Sequence, residues 1–210
     1  MEIGNDSRPR LGILISGRGS NLQAIIDAVG AGALDASIAV VISNRAEAHG
    51  LQRARESGLD TLHISPRSFA DRDAYDRALT AALLARGVTL VCLAGFMRLV
   101  GRPMLDAFPH RILNIHPSLL PAFPGLEAQR QALDYGARVS GATVHLVTSE
   151  LDGGPIILQA PVPILPGDTV DTLSARILDE EHRIYPEAIR IVLDGRWTVI
   201  GRRFVPEVAS

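Results

Sequence analysis

Over residues 11–116, short apolar runs alternate with amphipathic stretches that close on glycine, and few folds accept that order. LGILIS at 11–16 reads as a buried strand. Residues 20–32 follow as a helix, with Leu22, Ile25, Ile26 and Val29 at helical spacing and Ser20 or Asn21 available as its cap. The pattern then repeats: strands at 37–44, 60–64, 88–95 and 111–115, and helices at 47–58 and 70–87. Strands that are apolar throughout are buried on both faces, which predicts a parallel sheet with helices on either side. Beyond 140 the order changes. Residues 141–148 and 154–164 flank a turn-rich SELDGG, as an antiparallel pair would. Residues 169–195 carry a long helical pattern with Pro186 as an expected kink, and 196–201 reads as a last strand or hairpin arm. The fold class expected is α/β: a Rossmann-like, doubly wound, mostly parallel sheet with an antiparallel C-terminal portion.

Composition narrows the chemistry. Of 210 residues, 47% are hydrophobic and 21% charged, enough apolar material for a packed core. The net charge of −2 gives no basis for a nucleic-acid or membrane partner. All 21 basic residues are arginine, which excludes a lysine Schiff base and a P-loop that uses its lysine. Cys92 is the single cysteine and lies in the apolar run VTLVCLAGF, where it reads as a small buried hydrophobe. No disulfide within the chain and no thiolate metal site follow, and a cytoplasmic location is the default. Residues 1–10 (MEIGNDSRPR) are polar and are expected to fray.

Two stretches interrupt the regular pattern where ligands bind in such sheets. ISGRGSN at 15–21 joins the first strand to the first helix, and Gly17 and Gly19 permit a tight turn and close backbone approach. Free N–H groups and the helix dipole there suit a phosphomonoester. The dinucleotide fingerprint fails, because Leu22 stands where the third glycine belongs. Arg45, after the second strand, would suit a 2′-phosphate, so an NADP-binding oxidoreductase stays open as an alternative, as does a turn that merely connects.

The second stretch is ILNIHPSLLPAFPG, residues 112–125. Residues two apart on a strand share a face, so Asn114 and His116 project together at the carboxyl end of the fifth strand. An amide donor beside an imidazole suits oxyanion stabilisation and proton transfer. Pro117, Pro121 and Pro124 predict an extended loop that holds the cleft open. Asp152, in ELDGG, is either an ordinary turn residue or a third member of the pair, and His145 reads as structural or as a pocket wall.

ISGRGSNLQAIIDA, LAGFMRLV, ILNIHPSLLPAFPGL, HLVTSELDGGPIILQ and EEHRIYP together resemble the formyltransferases that use 10-formyltetrahydrofolate, over roughly residues 11–200. The resemblance is nearest to the glycinamide ribonucleotide formyltransferases of purine biosynthesis. It implies one domain over 1–210, with 11–116 as a nucleotide-binding half and 117–210 as a folate-side half. It implies Asn114, His116 and Asp152 as the catalytic trio. Gly19, Ser20, Asn21 and Glu181 match the ribonucleotide site, with Glu180 an alternative to Glu181. Arg72, Met97, Arg98, Leu99, Val100, Asn114 and the loop Thr148, Ser149, Glu150, Leu151 and Asp152 match the folate side. Arg18 departs from the family pattern, and Glu127 and Gln129 stand where some relatives carry histidines. The co-substrate implied is 10-formyltetrahydrofolate with no metal, the partners are small molecules, and the assembly is a monomer or homodimer. A related transferase with another acceptor, or a formyl hydrolase, is the nearest alternative.

Overall fold

The computed structural model describes residues 7–207. Of the end expected to fray, residues 1–6 lie outside that range, but Pro9 and Arg10 already join the sheet: Ser37 N–H donates to Pro9 O at 2.8 Å and β1 begins at Arg10. The elements in order are β1 (Arg10–Ile15), α1 (Ser20–Gly30), β2 (Ser37–Ser43), α2 (His49–Glu56), β3 (Thr61–His63), α3 (Arg72–Leu84), β4 (Leu90–Leu93), α4 (Arg102–Ala107), β5 (Ile112–His116), α5 (Ala128–Tyr135), β6 (Val139–Leu146), β7 (Ile156–Pro163), α6 (Val170–Asp194), β8 (Trp197–Ile200) and β9 (Arg203–Pro206).

The strands form one sheet in the order β3-β2-β1-β4-β5-β6-β7-β9-β8. From β3 to β5 every pairing is parallel; β5–β6, β6–β7 and β8–β9 are antiparallel. The alternation of β1 divides its side chains between two cores. Leu11, Ile13 and Ile15 pack with α1, α2 and α6, and Leu14 packs with α3 and α4. A strand buried on both faces has no position for a polar residue, which is why LGILI carries none.

The long helix α6 runs through Pro186 unbroken. An interior proline costs about 3 kcal/mol, but Ile184, Tyr185, Ala188 and Ile189 around it are buried against the sheet. The Tyr185 hydroxyl donates toward Leu93 O (3.0 Å) and Leu113 O (3.2 Å), which fixes the helix to β4 and β5. Two helices, α4 and α5, were not anticipated from the pattern; they are only 6 and 8 residues long.

Gly19 is required by two independent conditions. Its φ is +73°, and a Cβ there would stand 2.5 Å from Gly50 Cα in α2. Gly50 N–H donates to Gly17 O at 3.0 Å, so the turn and the start of α2 touch backbone to backbone. We expect Gly19→Ala to lower stability by about 2–4 kcal/mol, the sum of left-handed strain and overpacking. Thermal or urea unfolding measures this; a loss below 1 kcal/mol would mean the contact relaxes easily.

Candidate functional site

β1, β4 and β5 present their carboxyl ends at one edge. β2 and β3 are added on one side of β1, and β4 and β5 on the other, so the order reverses between β1 and β4. Loops diverging at such a switch point leave a crevice for ligands. Ser16 holds the turn in place there. Its hydroxyl donates to Asn44 Oδ1 (2.7 Å) and accepts from Met97 N–H (2.8 Å), and its N–H donates to Gly95 O (3.0 Å).

Neither Ser20 nor Asn21 caps α1, contrary to the expectation from the pattern. The N-cap position is Gly19 and no side chain caps the helix, which leaves the first-turn N–H groups to a ligand or solvent. The Asn21 side chain is turned inward instead: its Nδ2 donates to Glu181 Oε2 at 2.7 Å. Glu181 is 7% exposed, and burial raises its carboxyl pKa above the ordinary value. The neighbouring Glu180 points out to Arg183, at 2.6 Å, so of the two acids only Glu181 meets the turn. Arg18 is exposed beside a cleft shared with His49, Gln52 and Arg53, and Arg53 Nε donates to its carbonyl (3.1 Å).

Asn114 and His116 lie on the sheet face that carries α3 and α4, in line with Ile112, while Leu113 and Ile115 face α6. The loop from 147 to 155 leaves β6 at the far end, where Val147 N–H donates to Ile112 O (2.8 Å). It then folds back so that Asp152 reaches the pair. Asp152 Oδ2 is 3.5 Å from His116 Nδ1, and Asn114 is linked to it through His145, whose Nε2 lies 3.2 Å from Asn114 Nδ2 and 3.8 Å from Asp152 Oδ1. Asp152 has φ +50°, a left-handed conformation that Asp tolerates better than most residues.

The proline-rich loop does more than hold a cleft open. It turns back over the trio: His116 Nε2 donates to Phe123 O (2.9 Å), and Gly125 N–H donates to Asp152 Oδ2 (2.8 Å). A carbonyl only accepts, so Nε2 carries a proton, and Nδ1 is the nitrogen that faces the carboxylate. Thr143 and Gln159 fasten the loop to the antiparallel strands through Ser118 O and Leu120 O (2.6 and 2.9 Å).

His145 was expected as structural or as a pocket wall, and it lies directly opposite Asn114 in the β5–β6 ladder. Its Nδ1 donates to Leu146 O (2.9 Å), which leaves Nε2 as an acceptor for Asn114 Nδ2 at 3.2 Å. Burial holds its pKa below the ordinary histidine value, in keeping with a neutral ring. The contact fixes which end of the Asn114 amide is the donor and leaves a second N–H free. Asp152 Oδ1, at 3.8 Å, is a more distant neighbour of the same ring.

The other folate-side positions are spread more widely. Met97 and Leu99 are more than half exposed at the edge after β4, Val100 is buried, and Arg98 stacks over the Tyr75 ring at 5.1 Å. In the 148–152 loop only Asp152 enters the trio. Glu150 turns outward to Arg202 (2.9 Å), which also holds Gly153 O (2.6 Å). Arg72, the first residue of α3, makes no hydrogen bond or ion pair with the trio.

The sequence profile of the formyl transferase family matches residues 9–189. The chain belongs to the formyl transferase family. Among family relatives, the phosphoribosylglycinamide formyltransferase of Escherichia coli is 48% identical over 184 residues, covering 88% of this chain and 87% of that protein. The trifunctional purine biosynthetic protein adenosine-3 of Drosophila melanogaster is 47% identical over 205 residues, 97% of this chain; the chain spans only 15% of that protein's length. The glycinamide ribonucleotide transformylase 1 structure from Symbiobacterium toebii superposes with a TM-score of 0.94 at 59% identity, covering 99% of this chain and 98% of that one.

Glu181 yields a test with a definite sign. Its folded pKa is raised, so folding disfavours the ionised form at every pH above the unfolded value. The penalty is absent below that value and complete above the folded one. Glu181→Gln is therefore expected to raise the melting temperature at pH 7, with the gain fading as pH falls toward 4. A gain independent of pH, or a loss at pH 7, would contradict the burial cost.

Proposed function

We propose that this formyl transferase moves the formyl group of 10-formyltetrahydrofolate to the primary amine of glycinamide ribonucleotide, giving formylglycinamide ribonucleotide and tetrahydrofolate in purine biosynthesis. The observation that carries the reading is the grouping of His116 with Asp152 at 3.5 Å, and of Asn114 with Asp152 through His145 at 3.2 and 3.8 Å, two strands from an uncapped glycine turn. Two strand spacings are about 10 Å, the scale of a ribonucleotide reaching from its phosphate to its amine.

The turn at Gly19, Ser20 and Asn21 takes the phosphate, and Glu181 takes the sugar. Fixing the phosphate orients the amine, a gain that reaches about 7 kcal/mol in well-aligned cases. Met97, Arg98, Leu99, Val100 and Arg72 form one side of the folate subsite, and Thr148 to Asp152 the other. The free amine attacks the formyl carbon, a C–N bond forms, and the carbonyl oxygen becomes an oxyanion. Asn114 donates its second N–H to that oxyanion, because His145 occupies the first. His116, bonded through Nε2 to Phe123 O and facing Asp152 at Nδ1, stabilises that oxyanion when doubly protonated and takes the amine proton when neutral. Collapse breaks the bond to folate N10, and the proton shed by the attacking nitrogen passes to N10 by way of Asp152. No enzyme nucleophile is needed, since the amine already is one.

Removing an oxyanion donor costs about 10²–10³ in turnover. Asn114→Ala and Asp152→Asn are expected to fold and to lose kcat on that scale, followed as folate absorbance with and without glycinamide ribonucleotide. Near-normal turnover in either variant removes that residue from the mechanism. A folate change that does not need the ribonucleotide would make the protein a hydrolase instead.

A further inference from the structure

α3 carries a buried charge that none of the roles above uses. Asp76 lies one turn along α3, and its side chain is 2% exposed. Oδ2 accepts from Gly101 N–H at 2.8 Å, immediately after the Met97–Val100 segment. The fit leaves no space: a Cβ on Gly101 would collide with that same oxygen. Arg72 Nε lies 3.7 Å away on the solvent side. Arg98, stacked over Tyr75 next to Asp76, also acts on the carboxylate by its charge. Among the described residues, Arg72 has no other carboxylate within ion-pair distance and Arg98 has none.

An exposed Arg–Asp pair contributes little by itself, and a buried acid incurs a desolvation cost. A neutral amide would satisfy Gly101 N–H equally well. What the charge adds is a fixed counter-ion for Arg72 at 3.7 Å and, at longer range, for Arg98. We propose that Asp76 is a positioning residue of the folate subsite, setting the 97–101 backbone and aiming Arg72 and Arg98 at the carboxylates of the co-substrate's glutamyl tail. The inference rests on the formyl-transfer reading above.

A purely structural role would affect any folate equally, whereas this one depends on the tail. The test compares Asp76→Asn with the unaltered protein on two co-substrates: 10-formyltetrahydrofolate, and 10-formyltetrahydropteroate, which lacks the glutamyl group. Asp76→Asn keeps an acceptor for Gly101 but loses the charge. It is expected to raise KM about tenfold for the first, the scale of one charge-assisted hydrogen bond. KM for the second, kcat and the ribonucleotide KM should stay within about twofold. Asp76→Ala also removes the acceptor and should raise KM for both co-substrates. Equal rises for both in Asp76→Asn, or no rise for either, overturn the proposal. If the unaltered protein transfers no formyl group from either co-substrate, the formyl-transfer reading itself fails.

Discussion

The site depends on one register, the antiparallel pairing of β5 with β6. It places Asn114 opposite His145 and His116 opposite Thr143. From the first pair comes an amide with a defined orientation; from the second comes a threonine that fastens the loop covering His116. A slip of β6 by one residue would turn His145 and Thr143 to the other face and leave Asn114 and His116 without them. The switch from parallel to antiparallel pairing at β5 is what makes the register useful. It brings in a strand from the C-terminal half whose polar face continues that of Asn114 and His116, beyond the cover of α3 and α4.

The surrounding structure maintains unfavourable local states at this edge. Glu181 is ionisable and buried, His145 is desolvated, and Asp152 has a left-handed backbone. Such residues cost about 1–3 kcal/mol each where the strain is in the backbone. Two cores, one on each face of the sheet, offset them. The loop residues contribute through backbone groups: Phe123 lends a carbonyl to His116, and Gly125 an N–H to Asp152. The proline-rich loop thereby connects both ring and carboxylate to the same short stretch of chain.

Periodicity made most of the fold legible. The apolar runs near 11–16, 37–44 and 111–115 became β1, β2 and β5 with their ends moved by one residue, because burial on both faces leaves a continuous signal. α4 and α5 were hidden by their brevity; α5 starts after Glu127 in a left-handed conformation with no side-chain cap. At the site, side chains with distinctive chemistry stood out: Asn114 and His116 interrupt an apolar strand. His145 did not stand out, since it alternates normally in β6 and its importance comes from a partner 31 residues away. Gly50 looked like an ordinary helical residue, and only its contact with Gly19 gives it meaning. The supporting groups on Phe123 and Gly125 belong to the backbone, and no residue type announces them.

The central claim is that a neutral His145 orients the Asn114 amide toward the oxyanion. Nitrogen-15 correlation spectra of the imidazole rings at pH 7.5, assigned with a His145→Gln variant, test it most directly. The account predicts His145 as a neutral ring protonated on Nδ1, with Nε2 unprotonated and accepting. A proton on Nε2, or an imidazolium, would contradict it, since the Asn114 amide would then have no acceptor to hold its donor end.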